Sequence, residues 1–252
     1  MFDFNGATAL IIGGGSGIGR EIAIALSQNG ANTLITGRNI NKLNDTKNHI
    51  NSKKGGTCSV YVSDVTSESS VKKLIKHTSE LFSKKLNILI NSAGTNIRAP
   101  IEKVLVEDFQ TVMDVNLKGT FLTTKMAYPL LKASDYGRVI NLASIFSTVS
   151  YPDRLSYSSS KAGVLLFSKT IALEWAREGI TVNTISPGPL LTEINKKVLE
   201  DKENYDKFCE RIPMRRFGEP FEIVTAALFL ASPGSSYVTG SDIVVDGGWT
   251  SS

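Results

Sequence analysis

The chain has 252 residues, and 28 Lys and Arg against 24 Asp and Glu leave a formal charge of +4, too small and too scattered to make nucleic acid an expected partner. Hydrophobic residues make up 41%, ordinary for a globular domain and ample for a core. No uncharged apolar run nears the ~20 residues of a membrane span, and the first residues carry no secretory pattern, so a cytoplasmic protein with no membrane partner is expected.

The first apolar run, at 8–12, leads into Gly13-Gly14-Gly15-Ser16-Gly17-Ile18-Gly19. A helical pattern follows, with Ile18, Ile22, Ala25 and Leu26 on one face. Strand, glycine turn and helix together make a dinucleotide-binding start. Glycines let the backbone approach a pyrophosphate, and the helix N-terminus offers free N–H groups with a partial positive charge. The second run, 32–36, ends at Gly37 and Arg38. A carboxylate at the end of that strand would take the ribose 2′-OH of NAD. Gly37 has none, whereas Arg38 can grip a 2′-phosphate with two hydrogen bonds. The expected cofactor is therefore NADP (NADPH), with NAD the weaker alternative; an Arg38 that merely stacks on adenine would serve both.

Further apolar runs lie at 59–62, 87–91, 138–142, 181–185 and 243–245, with helical patterns between most of them. Such alternation predicts an α/β fold: one Rossmann domain over 1–252, with a doubly wound, seven-stranded parallel sheet and helices on both faces. No linker, repeat or low-complexity stretch divides it. Gly13, Gly37, Asp64, Asn91, Ser144 and Pro187 all fall at or just past strand ends, so they should converge on one edge of the sheet. The charged helical segment at about 189–212 breaks the rhythm and is expected to be a substrate lid.

Tyr157 and Lys161 stand four apart at the start of a long apolar helical run, hence on one helix face. A free phenol titrates near ~10, and a fixed cation nearby stabilises its phenolate. The pair makes an acid/base device, in which Lys161 is expected to lower the pKa of Tyr157. Cys58 and Cys209 are the only cysteines and His49 and His77 the only histidines, so no metal site is expected and both thiols should be reduced and inert.

Together these motifs resemble the short-chain dehydrogenase/reductase family, over nearly the whole length. The family's T-G-x-x-x-G-x-G appears with Ile12 in place of the threonine, then Gly13, Gly17 and Gly19; Gly15, Ser16 and Ile18 complete the loop. Asp64-Val65 matches the adenine contact. Asn91-Ser92-Ala93-Gly94 matches N-N-A-G with serine second, and Pro187-Gly188 with Thr192 matches the segment over the nicotinamide. Asn116, Ser144, Tyr157 and Lys161 match the catalytic tetrad in order and spacing. The resemblance implies hydride transfer between NADP(H) and a carbonyl or secondary alcohol. Tyr157 would be the proton donor and Ser144 would bind the substrate oxygen. Lys161 would hold the ribose, and Asn116 would position a relay water.

Thr95-Asn96-Ile97-Arg98 resembles members acting on gluconate-like sugar acids; Arg98 could grip a carboxylate and Asn96 hydroxyls, unless Arg98 faces solvent or pairs with Glu102. A 3-oxoacyl-[acyl-carrier-protein] reductase is the alternative, and a non-catalytic nicotinamide-nucleotide-binding regulator the alternative of another class. Finally, Val164-Leu165-Leu166-Phe167, Ile171-Ala172-Leu173 and Trp175 cover more of a helix than one sheet can bury. A symmetric homotetramer is expected, with Phe121, Met126 and Leu130 beside that helix at the interface.

Overall fold

The computed structural model describes residues 2–251, one residue short of the expected domain at each end. Seven strands form one sheet: β1 Thr8–Ile12, β2 Asn32–Gly37, β3 Cys58–Val62, β4 Ile88–Asn91, β5 Gly137–Leu142, β6 Ile180–Pro187 and β7 Asp242–Val245. Their order is β3-β2-β1-β4-β5-β6-β7, and every neighbouring pair is parallel. The winding reverses between β1 and β4, which opens a crevice at their carboxyl ends. The apolar runs of the sequence locate each strand to within two residues. β6 overruns most, because Ser186 and Pro187 still pair with β7.

The covering helices are α1 Gly17–Gln28, α2 Ile40–Asn51, α3 Glu68–Leu81, α4 Val106–Met113, α5 Gly119–Lys132, α6 Leu155–Trp175, α7 Lys196–Leu199, α8 Lys202–Arg211 and α9 Val224–Ala231. A single π-helical turn, Asp114–Lys118, joins α4 to α5. The pleat of β1 shows how two layers arise. Ala9 and Ile11 point into a core with Ile22, Leu43 and Ala227 from α1, α2 and α9. Leu10 and Ile12 point into a second core with Leu74, Leu131 and Ala172 from α3, α5 and α6. Period-two side chains on a strand covered on both faces require this arrangement.

The expected lid holds two short helices, α7 and α8, after a 3-10 turn at Glu193–Asn195. Its inner face is not charged: Val198, Phe208 and Ile212 pack with Ile145, Phe217 and Trp249 into a third small core. Its outer face carries pairs such as Lys207 with Glu203, 2.6 Å apart one turn on. On α6, Val164 and Ala172 face inward, whereas Leu166 and Leu173 stand 67% and 83% exposed. Phe121 of α5 is exposed beside them, edge-on to Phe167. Leu130, expected at the same interface, is instead buried in the second core, because helical periodicity turns it toward the sheet.

Candidate active site

The glycine loop between β1 and α1 forms the floor of a cleft of about 330 Å³. Gly13 adopts φ +83°, and a Cβ there would lie 2.8 Å from the Ala93 nitrogen. Gly19 backs directly onto the Gly13 carbonyl, so it shapes the turn from behind rather than lining the cleft. No threonine hydroxyl braces the turn; the Gly13 and Gly14 amides do so, donating to the Thr36 carbonyl at 2.8 and 3.1 Å. Gly13, Gly15, Ser16, Gly17 and Ile18 line the cleft on the loop side. Ala93 and Gly94 line it past β4, Thr192 on the 189–212 segment, and Arg38, Asp64 and Val65 past β2 and β3. Asp64 accepts from the Thr66 amide at 2.9 Å and its hydroxyl at 2.8 Å. Those bonds, aided by the Arg38 charge, hold its carboxyl below the usual range. Lys42, not among the residues expected from the sequence, also lines the cleft and reaches Glu193 of the 189–212 segment at 2.5 Å. Its signal was a second cation one turn after Arg38.

Asn91 does not face the cleft. Its amide donates to Thr124 Oγ1 at 3.0 Å and Asn141 Oδ1 at 2.8 Å, and its oxygen accepts from Thr123 at 2.7 Å. The side chain is consumed in tying β4 to β5 and α5, which leaves the backbone of Asn91 for the cofactor contact expected of it.

A smaller cavity of about 100 Å³ adjoins the cleft, lined by Ser144, Tyr157 and Lys161, with Pro187, Gly188 and Thr192 on the far wall. Ser144 leaves β5 and caps the 3-10 turn Ile145–Ser147 through the Phe146 amide, 3.2 Å away. The Ser144 hydroxyl lies close enough to the Tyr157 phenol to favour its ionised form. One turn on, the Lys161 Nζ lies 5.8 Å from the Tyr157 ring centroid and donates to the Leu142 carbonyl at 2.6 Å. Burial pushes the Lys161 ammonium down to about 8. Burial also pushes the Tyr157 phenol up, opposed by the Ser144 hydroxyl and by the charges of Arg154 and Arg98. Arg154 and Arg98 thus join Lys161 as cations around the phenol, two charges beyond the one expected from the sequence.

Asn116 sits in the π-helical turn, fully buried. Its oxygen accepts from the Thr95 amide at 2.8 Å; its nitrogen donates to the Thr95 carbonyl at 3.0 Å and Ser160 Oγ at 2.9 Å. It therefore locks the turn after Gly94 onto α6. Three hydrogen bonds thus engage its amide, and its oxygen keeps one lone pair for a further donor.

Asn96 lines the cavity, and its Oδ1 is buried without a hydrogen-bond partner. Arg98 does not line it. The Arg98 guanidinium donates to Asn195 Oδ1 at 3.0 Å and the Ile194 carbonyl at 3.4 Å, tying the β4 loop to the 189–212 segment. The guanidinium that does line the cavity is Arg154, at the N-terminus of α6 and only 5% exposed. Burial, then repulsion by Arg98, pushes it down to about 10. Sequence reasoning missed it, and the one available signal was its place three residues before Tyr157. Phe146 and Phe208 supply apolar wall. Among the described residues no three His, Cys, Asp or Glu gather as metal ligands, and no helix is long and apolar enough to cross a membrane.

Comparison with known proteins gives a consistent answer. The family model described as enoyl-(acyl carrier protein) reductase matches residues 13–250. A tropinone reductase homolog of Arabidopsis thaliana is 37% identical over 245 residues, covering 97% of this chain and 92% of that protein. Glucose 1-dehydrogenase 2 of Bacillus subtilis is 35% identical over 250 residues, covering 98% and 96%. Among solved structures, a gluconate 5-dehydrogenase from Burkholderia cenocepacia, in complex with NADP and tartrate, superposes with a TM-score of 0.94 at 33% identity, covering 100% and 98%.

Proposed function

The chain belongs to the short-chain dehydrogenase/reductase family, and on that premise we propose that it is an NADP(H)-dependent oxidoreductase acting on the carbonyl or secondary alcohol of a sugar acid. The observation that carries this reading is the meeting of Ser144, Tyr157 and Lys161 in one small cavity that opens onto the glycine-floored cleft.

The cleft fits a dinucleotide. The N-terminus of α1 faces it, Gly17 at φ +53° brings backbone to its floor, and Arg38 and Lys42 place two cations at its rim. Gly37 offers no carboxylate to repel a 2′-phosphate, which supports NADP over NAD. When bound, the nicotinamide supplies or accepts the hydride. In reduction, Tyr157 gives its proton to the substrate oxygen as charge develops there, and Ser144 donates a hydrogen bond to the same oxygen. Lys161 keeps a cation beside the tyrosine and would hold the nicotinamide ribose. Asn116 acts as a positioning residue through Thr95 and Ser160. The lid and the Phe146 and Phe208 rings exclude water. Oxidation runs the same steps backwards.

The gluconate 5-dehydrogenase solved with NADP and tartrate supports a sugar-acid substrate. The description of the matching family model is the one observation favouring an acyl-carrier-protein substrate; a cavity of about 100 Å³ under a lid suits a small acid better than a chain-bound thioester. The exposed Leu166, Leu173 and Phe121 support a homo-oligomer, proposed as a tetramer. Cys58 and Cys209, both free, suit the cytoplasm. The test is a turnover screen of sugar acids, acyl thioesters and simple ketones that follows nucleotide oxidation state. Nucleotide that binds without turnover on any substrate would replace the enzyme by a regulator.

A further inference from the structure

The cavity beside Tyr157 holds charge that the protein itself does not neutralise. Arg154 is 5% exposed, yet among the described residues its one side-chain hydrogen bond runs to the neighbouring Asp153 carbonyl at 3.4 Å. Its guanidinium carbon lies 5.7 Å from the Tyr151 ring. The Asp153 carboxylate is the nearest negative charge on its own segment, but it is exposed and forms no ion pair with Arg154. Arg98, the other guanidinium within electrostatic reach, is committed to Asn195 of the lid. No Asp or Glu lines the cavity, and Lys161 adds a further cation. Burying an arginine without a counter-ion costs stability, and even at about 10 its pKa keeps it charged at neutral pH.

A second defect points the same way. Asn96 Oδ1 is buried on the same cavity wall with no donor. Buried acceptors are nearly always satisfied, so an orphan here needs an explanation. One ligand answers both: an anionic group for Arg154 and a hydroxyl for Asn96, each close to the carbon handled by Ser144 and Tyr157.

We propose that Arg154 is the substrate-anchoring residue of this site, gripping the carboxylate of a small hydroxy acid or keto acid whose hydroxyl donates to Asn96 Oδ1. The assignment rests on the hydride-transfer reading of the same cavity and deepens it. Arg154 does the anion binding that sequence reasoning gave to Arg98, and Arg98 holds the lid closed over it. A planar guanidinium with free forked donors suits a carboxylate, whose two oxygens accept in parallel. Fixed at that end, the reacting carbon is presented to Tyr157 in one orientation.

The test measures affinity. The wild type, saturated with NADPH so that the hydroxy acids form a complex that cannot react, is titrated calorimetrically with D-glycerate, L-tartrate and D-gluconate, each beside its neutral primary amide. At least one acid is expected to bind about tenfold or more tighter than its amide, as a charge-assisted pair predicts. Arg154→Gln should reduce that ratio below about threefold, and Arg154→Lys, which keeps a charge without the fork, should fall between. Equal binding of every acid and amide by the wild type overturns the proposal whether or not the variants fold. So does an unchanged ratio in Arg154→Gln, including the case where that variant only shifts the pH profile of neutral-ketone reduction. NADPH-dependent reduction of a neutral ketone by the wild type is followed in parallel. If it proceeds while acids show no advantage, the carboxylate anchor fails and hydride transfer stands. If no substrate at all turns over, hydride transfer itself has failed.

Discussion

Replacing Tyr157 by Phe removes one oxygen and nothing else. The ring keeps its edge-on contact with Phe146, at a centroid separation of 6.5 Å. The lost group is the proton donor, and a positioned acid typically contributes ~10²–10⁴ in rate. At about 1.4 kcal/mol per tenfold, that is roughly 3–5 kcal/mol of barrier. The folding cost is far smaller. The interaction with the Ser144 hydroxyl disappears, worth at most about 1 kcal/mol. For a chain of this length that shifts Tm by about 2–4 °C. The assay is steady-state reduction of the best substrate from the turnover screen, with NADPH affinity and Tm measured on the same sample. The expected variant binds NADPH within about threefold of wild type and loses at least ~100-fold in kcat. Retention of more than about a tenth of kcat would refute Tyr157 as the acid. A large loss accompanied by a collapse in Tm would show that the phenol was structural.

Three further outcomes are expected. Gly37→Asp should turn preference from NADPH toward NADH; a Cβ there meets only Leu43 Cδ2, 3.8 Å away, so the loop should tolerate it. Equal affinity of the wild type for the two nucleotides would count against the Arg38 argument. Lys161→Met should abolish turnover yet raise stability at neutral pH by roughly 1–3 kcal/mol, because a buried ammonium costs free energy that a methionine does not. The folded value of Lys161, about 8, lies below its ordinary ~10.4, so the native state holds fewer protons between the two. Wild-type stability should therefore gain a rising contribution as pH climbs from about 8 toward 10, while reductive kcat/KM falls through about 8; urea melts and a rate profile against pH read the two, and Lys161→Met should erase the stability slope. Finally, light scattering on Leu173→Glu should show a smaller particle than the wild type, since Leu173 is 83% exposed on an apolar helix face; a wild-type monomer would end the assembly proposal.

Much of this was written locally in the chain. The strands were legible because a two-faced parallel sheet demands unbroken Val, Ile and Leu runs, and Gly13 because its turn leaves no room for a side chain. Tyr157 and Lys161 were legible because a four-residue spacing sets them on one helix face, and Ser144 because it matches the family's serine just past a strand end. What stayed hidden depended on tertiary partners. Asn91 and Asn116 sit where expected, but whether an amide faces a ligand or the core is decided by Thr123, Asn141 and Ser160 from distant elements. That Arg154 rather than Arg98 lines the cavity was barely legible, its place three residues before Tyr157 being the one signal. The lid residue Asn195 claims Arg98, and the entry geometry of α6 buries Arg154.

The central claim is hydride transfer between NADP(H) and a carbon–oxygen bond, with Tyr157 as acid. The most direct measurement follows the hydride itself. The enzyme is given NADPH carrying deuterium at the reactive C4 position, with the best carbonyl substrate from the turnover screen, and the product alcohol is analysed by mass spectrometry and NMR. One deuterium is expected on the carbinol carbon, transferred by the wild type and at least ~100-fold more slowly by Tyr157→Phe. Product without deuterium at that carbon, or equal transfer by the variant, would contradict the account.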